Sequence, residues 1–391
     1  MLRKFTANNF KSLINVTYEP GAVNLLVGQN NSGKTNLCQA LRFLSETSHQ
    51  GREIWDIWRD AIGIDLLRMR NVYFDHPTID LGCTCDITGD NSEPLIFYYS
   101  LNLDDITPTV VTERLQISGG KFGPGSVTLL ENEAGKIRLL NEGRYLKGET
   151  PDACYQNTTA KVEATMLSRL HDWQANRWAM AFRDHLSGWQ YYDLDPYRLR
   201  DDRFDPQAHE LNPDGSNLAS VLFDLKNRDE RHYRLLIELA QKLERRLDAL
   251  NFTTVGERIE MELTDTQDHR FGLKSASNGT LRFVALCYII LSNARWAHPP
   301  LTIIEEPENG LYVRCLKPLL QLIDPSGAGG QYIFTSHSPY FIDEFEDHLD
   351  NVTLMQDQGT YSALVKSDPA RVHKYLEEMP LGELHFREML A

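Results

Sequence analysis

The chain has no excess of positive charge. Its 40 Lys and Arg face 55 Asp and Glu, for a net charge of −15. A protein that coats nucleic acid over its whole surface needs a basic footprint, so that class is excluded, though a local basic patch is not. The one stretch that invites such a reading, "RLRDDR" from Arg198 to Arg203, is mixed in charge and reads as a solvated loop or helix face. Long apolar runs are also missing. The longest, "FVALCYIIL" from Phe283 to Leu291, is about half of the ~18 residues that a membrane helix needs, so no membrane span is expected. The opening "MLRKFTANNF" lacks the apolar region of a secretory signal and reads as a first strand. Cysteine is sparse and scattered: Cys38, Cys83, Cys85, Cys154, Cys287 and Cys315. Cys83 and Cys85 point to one face of a strand, but a zinc site needs further ligands at matching spacing. Reduced, buried thiols in a cytoplasmic protein are the expectation. No sustained heptads, internal repeats or low-complexity segments occur, so a long coiled coil is not supported.

What is present fits a globular protein with a sizeable core: 391 residues, 41% apolar and 24% charged. Strand, loop and helix signals open the chain, with "AVNLLVG" as strand and "KTNLCQALRFLSETS" as helix. From Asn71 the runs shorten and alternate ("TIDLGCTCDI", "LIFYYSLNL", "VVTERLQIS", "SVTLLEN", "KIRLLNEG"), which predicts antiparallel strands. From Thr158 the period becomes helical, in "VEATMLSRLHDWQANRWAMAFRDHLSGW" and in "LASVLFDLKNRDERHYRLLIELAQKLERRLDAL". A polar, proline-bearing connection separates the two. The last part alternates strand and helix again. The expectation is an interrupted α/β protein: a core begun in 1–70, an antiparallel β-subdomain in 71–157, a helical insertion in 158–255, and the rest of the core in 256–391.

The chemistry starts with "GQNNSGKT", Gly28 to Thr35, which fits G-x-x-x-x-G-K-[ST], follows an apolar strand and opens a helix. Glycines let backbone N–H groups turn inward around phosphate oxygens, and the helix N-terminus adds its positive end. Gly28, Asn31, Ser32, Gly33, Lys34, Thr35 and Asn36 are the expected nucleotide contacts. Lys34 serves the β- and γ-phosphates and Thr35 the Mg²⁺. A strand ending in acids is the expected partner of such a loop, and "LTIIEE" supplies it. Glu305 is expected at the metal, through water, and Glu306 beside the γ-phosphate, where it positions or deprotonates the attacking water. "TSHSP", Thr335 to Pro339, places His337 at another strand end, where it can donate to a phosphate oxygen. "SASNGTLRF", Ser275 to Phe283, opens a helix with Ser277 and Gly279, a second anion-binding end. One ATP site has no need of two such ends, so this one is assigned to the ATP of another copy.

These motifs in this order resemble the head of an ABC-type ATPase. "SNGT" is similar to the ABC signature, "EEPENGL" to Walker B with the catalytic Glu and the D-loop, and His337 to the switch histidine. The wording "SNGTLRF…EEPENGL…TSHSPY", with "LNPDGSNLASVLFDL" and "LGELHF", resembles the RecF/SMC/OLD-like soluble ATPases more than transporter subunits. The resemblance implies a head that forms a homodimer around two ATPs, each bound by one chain's Walker motifs and the other's Ser277 and Gly279. Glu308 and Asn309 are then expected at the seam. Three departures stand out. Glu305 occupies a usual Asp position, no Q-loop glutamine is assigned, and 243 residues separate Lys34 from Ser277, which fits inserted parts too small for an SMC arm. Only 54 residues follow His337, too few for the TOPRIM nuclease domain of OLD proteins. The resemblance therefore extends to stand-alone ATPase subunits of anti-phage systems, PtuA-like or AriA-like, that act with a separately encoded nuclease or toxin. The alternatives are a RecF-like repair or recombination ATPase that binds DNA, and, last, an ABC transporter subunit.

Overall fold

The computed structural model describes residues 1–62, 71, 76–89, 93–104, 106–201, 208–243, 246–255, 258–293, 301–323, 330–366, 372, 375–376 and 379–387. Asp202 and Arg203 of the mixed-charge stretch lie outside them, as does residue 204–207 of the polar connection that contains it. The chain divides into two compact units. The first holds Met1–Gly21, Gly28–Trp189 and Thr353–Lys366; the second holds Ala22–Val27, Gln190–Val352 and Ser367–Ala391.

The first unit is built on an eight-stranded antiparallel sheet. Its strands are β1 (Leu2–Asn8), β2 (Val16–Tyr18), β4 (Thr78–Thr88), β5 (Pro94–Asp104), β6 (Val110–Ser118), β7 (Val127–Glu133), β8 (Lys136–Leu140) and β9 (Tyr155–Thr159), in the order β2-β1-β4-β5-β6-β7-β8-β9. The alternating runs read from sequence all become strands. In β5 the odd and even positions separate into Leu95, Phe97, Tyr99, Leu101 and Leu103, buried, and a more exposed outer row. Against the inner face lie α1 (Lys34–Glu46) and α5 (Arg177–Ser187), with α2 (Ile54–Ile62) packed on α1, and two single-turn helices, α3 (Glu142–Tyr145) and α4 (Pro151–Cys154), between α2 and α5 in sequence. Phe182 of α5 stacks on Phe97 at 5.3 Å between centroids. A hairpin of β16 (Val352–Asp357) and β17 (Ser362–Lys366) completes the unit.

The second unit has a parallel sheet in the order β10 (Gln190–Tyr192), β14 (Leu301–Glu305), β15 (Gln331–Ser336) and β3 (Val23–Val27). β14 and β15 are buried at every residue, as parallel strands covered on both faces must be. α8 (Asn278–Asn293) is buried nearly all round from Leu281 to Ile290, the mark of a helix inside a core. α6 (Leu218–Arg228) and α7 (Glu230–Leu243) precede a small antiparallel sheet of β11 (Leu247–Val255), β12 (Arg258–Asp265) and β13 (Arg270–Gly272). α9 (Leu316–Leu320), α10 (Pro339–Asp343) and a closing helix Leu381–Phe386 finish it.

Two stretches read as helical from sequence differ. Residues 162–176 contain only one 3-10 turn, at Leu167–Arg169. Glu113 of β6, 1% exposed, accepts from the amides of Met166 (2.6 Å) and Leu167 (2.9 Å) and from the Tyr99 hydroxyl (3.1 Å). Asp172 accepts from the amides of Gln174 and Ala175. Side-chain acceptors thus replace helical ones. Likewise "LDAL", Leu247 to Leu250, is strand because it pairs with β12. Tertiary pairing overrides helical periodicity there.

Glu142 repeats the device. Its carboxylate accepts from the amides of Trp178 (2.6 Å) and Ala179 (3.0 Å), the first turn of α5. Burial pushes its pKa up from 4.5 to about 7, against the lowering effect of those two amides. A carboxyl raised in the folded state holds its proton there when the unfolded chain has lost it. Its contribution is therefore full below pH 4.5 and is lost as pH rises through about 7. That contribution amounts to roughly 3 kcal/mol at most. Wild-type stability, measured by urea unfolding from pH 4.5 to 8, is expected to fall relative to Glu142→Gln over that window; parallel curves would contradict the assignment.

Candidate functional site

The register of the parallel sheet sets the site. Glu305 pairs with Thr335, and Ser336 with Val27, so β14, β15 and β3 end at one edge. Clefts outside the carboxyl ends of parallel strands are where α/β folds bind ligands. Glu306, His337 and Gly28 are the residues that leave those strands. The phosphate-loop residues beyond Val27 fall in the first unit and the acids and His337 in the second.

In the first unit, Gly28 to Thr35 forms a tight turn into α1. Asn31 is left-handed (φ 68°) and Gly33 more so (φ 100°). A Cβ at Gly28 would run into the Met355 carbonyl and Ser32 Oγ, and one at Gly33 into Ser362 Oγ. The Lys34 ammonium donates to the carbonyls of Gly28 (2.7 Å) and Gln29 (3.1 Å), so the side chain curls over its own loop. Ser32 Oγ is buried without a hydrogen-bond partner among the described residues. Thr35 is exposed. Asn36 donates to Ser12 Oγ at 2.7 Å, and Ser362 Oγ donates to the same hydroxyl. α1 starts with no acidic residue in its first turn and no side-chain cap, which leaves its amide end electropositive. A cradle that only glycine allows, an orphan hydroxyl and a folded-back ammonium fit the triphosphate of a nucleotide.

In the second unit, Glu305 is 6% exposed and accepts from the Tyr191 hydroxyl at 2.8 Å. Tyr191 reaches it from β10, in register with Ile303. The chain then turns left-handed at Glu306 (φ 44°), a conformation that costs a non-glycine residue about 1–3 kcal/mol. The Glu306 amide donates to the Thr335 carbonyl (3.1 Å) and hydroxyl (3.2 Å). Its carboxylate meets His337 Nδ1 at 3.1 Å and accepts from Asn309. Of the two residues expected at the seam with a second copy, Asn309 is exposed and Glu308 is buried. It accepts from Ser336 Oγ while its Oε2 has no partner among the described residues, and burial pushes its pKa up.

Ser277 is exposed and caps α8: its Oγ accepts from the Thr280 amide at 3.0 Å. Gly279 has a local reason to be glycine, since a Cβ there would lie 2.5 Å from the Gly310 carbonyl. The start of α8 is thus packed directly on the turn that carries Glu306.

Sequence reasoning missed two residues. Arg282, 4% exposed, donates to the carbonyls of Leu194 (2.8 Å), Glu305 (3.3 Å) and Glu306 (2.7 Å). Its signal was legible as the lone charge in an apolar run, because arginine is almost never fully buried without a purpose. Tyr191 gave no signal; it is one of two adjacent tyrosines on a three-residue strand.

A family model described as an AAA domain, putative AbiEii toxin, Type IV TA system, matches residues 169–349, slightly under half of the chain. No curated protein matches. Among solved structures, the SMC head bound to the C-winged helix domain of ScpA is 12% identical, covers 93% of this chain and 97% of its own, and has a TM-score of 0.54. The chain has the fold of an ABC/SMC-type P-loop ATPase head. A second head, from Pyrococcus furiosus, with an extended coiled coil and bound to the C-terminal domain of ScpA, is 15% identical, with 96% and 98% coverage and a TM-score of 0.48. Among the described residues no helix is long and apolar enough to cross a membrane.

The phosphate-loop geometry is testable without nucleotide. Gly33→Ala puts a Cβ on a left-handed residue against Ser362 and is expected to cost about 1–3 kcal/mol. An unchanged urea midpoint would show that the loop is not held this tightly.

Proposed function

We propose that the chain binds and hydrolyses ATP as one half of a head-to-head dimer. The observation that carries this is the Glu306–His337 pair, at the same sheet edge as the strand that leads into Gly28. Gly28, Asn31, Ser32, Gly33 and Asn36 line the phosphates, and Lys34 contacts the β- and γ-phosphates. Thr35 and Glu305 would hold Mg²⁺, which when bound would neutralise charge on those phosphates. Glu306 orients the attacking water and takes its proton. Its own carboxylate is steered by Asn309 and His337, and the remaining ring nitrogen of His337 serves a phosphate oxygen. Ser277 and Gly279 present the N-terminus of α8 to the ATP of the partner copy. ATP binding then closes the dimer and hydrolysis reopens it.

The biological role we infer is control of a separately encoded effector, a nuclease or toxin, in anti-phage defence. The toxin wording of the matching family model supports this reading, as does the net charge of −15, which disfavours broad DNA binding. Co-purification with the product of the neighbouring gene tests it. Duplex DNA binding with a steep salt dependence, and no protein partner, would instead place the chain with RecF-like repair ATPases.

Glu306→Gln is expected to lower turnover by about 10²-fold or more while keeping ATP binding, and to accumulate a nucleotide-bound dimer in size-exclusion chromatography with light scattering. Hydrolysis at the wild-type rate would overturn the assignment. Lys34→Ala is expected to lose ATP binding in calorimetry, and full retention would remove the loop from the mechanism.

A further inference from the structure

The turn that carries Glu306 is left-handed, yet the side chain it presents must point one way. Something has to hold the backbone. The Glu306 amide is tied to Thr335, which fixes one side of that peptide unit. The carbonyls of Glu305 and Glu306 are tied elsewhere, by Nη2 of Arg282, while Nη1 of the same group holds Leu194. Leu194 follows β10, the strand whose Tyr191 bonds the Glu305 carboxylate.

Arg282 occupies a position where the surrounding helix is apolar, and a leucine or methionine would fill it. It forms no salt bridge among the described residues, and its Nε has no partner there. A buried guanidinium without a bonded carboxylate is expensive to keep. What it does instead is bridge three main-chain carbonyls, a task that its planar fork of donors suits and a lysine ammonium does not. Five residues earlier on the same segment is Ser277, and Gly279 abuts Gly310 at the far end of the turn. The segment 305–310 is therefore gripped at both ends by the first turns of α8.

We propose that Arg282 is a positioning residue for Glu306: it sets the direction of the Glu306 carboxylate and links it to the N-terminal end of α8, where Ser277 and Gly279 lie. Its kinetic consequence rests on the ATPase reading above; its structural consequence does not. Displacing the reacting groups by about 1 Å can cost on the order of 10²-fold in rate without loss of binding.

Arg282→Met keeps the length and apolar stem. It is expected to lower kcat by about 10²-fold with KM for ATP within a few-fold. Arg282→Lys is expected to fall between it and wild type. Added methylguanidine is expected to restore part of the turnover of Arg282→Ala. Combined with Glu306→Gln, Arg282→Met is expected to produce no further loss, because both act at one group. Without nucleotide, amide hydrogen exchange of the peptide spanning 303–311 is expected to quicken at least tenfold in Arg282→Met while the rest of α8 keeps its protection. Wild-type kcat in Arg282→Met, a loss carried by KM alone, or unchanged exchange at 303–311 would each overturn the proposal. A wild-type protein that hydrolyses no ATP would overturn the ATPase reading alone, and the exchange measurement would still decide the role of Arg282. If Arg282→Met does not fold, Arg282→Lys carries the same kinetic and exchange measurements with the same outcomes.

Discussion

The end of β14 concentrates negative charge inside the protein. Glu305 and Glu308 are both less than a tenth exposed, with Glu306 between them in sequence. Desolvating carboxylates costs several kcal/mol each unless donors meet them. The protein supplies them individually: Tyr191 for Glu305, Ser336 for Glu308, His337 and Asn309 for Glu306. A guanidinium lies behind the turn and bonds its carbonyls rather than its acids. Burial pushes the Arg282 pKa down and its acidic neighbours Asp193, Glu308 and Glu306 raise it, but an arginine stays charged in either case. Its charge moderates the acids through space, while its hydrogen bonds hold the backbone. Strand order, the left-handed residue and the seat of α8 all serve this arrangement.

The two units use mirror-image solutions to one problem. An irregular buried segment leaves main-chain groups unpaired, and each costs about 1–3 kcal/mol if orphaned. In the first unit, Glu113 and Glu142 each collect two amides, and so stabilise a connection that is not helical and the start of α5. In the second, Arg282 collects three carbonyls. Long charged side chains reach where secondary structure does not. They are also the residues whose removal has the most directional effect, because a shorter neutral side chain leaves two or three groups unpaired at once.

Much of this was legible in the sequence. Alternation marked β4 to β8, and the glycine-lysine spacing of Gly28 to Thr35 marked the turn into α1, because each of those patterns is local. The apolar run before Glu305 marked a buried strand, and its parallel pairing came from the structure. The failures came where distant residues decide. Residues 162–176 have helical spacing, but the acceptor that organises them, Glu113, lies about fifty residues away in sequence. Leu247 to Leu250 continues a helical period until β12 captures it. Burial of Glu308 could not be inferred from "EEPENGL", which gives no hint that Ser336 turns inward.

The longer side chain at position 305 has a physical explanation in Tyr191. That hydroxyl comes from the next parallel strand, in register two residues before Glu305, and meets Oε1 at 2.8 Å. Aspartate would withdraw the carboxylate by about one C–C bond, roughly 1.5 Å. The contact would then exceed hydrogen-bond range unless β10 moved. β10 continues to Leu194, which Arg282 holds, and Arg282 holds Glu306. Shortening residue 305 would therefore disturb more than one carboxylate. It would loosen one member of a closed circuit of Tyr191, Glu305, Glu306, Arg282 and Leu194, in which the two acids are set in place together.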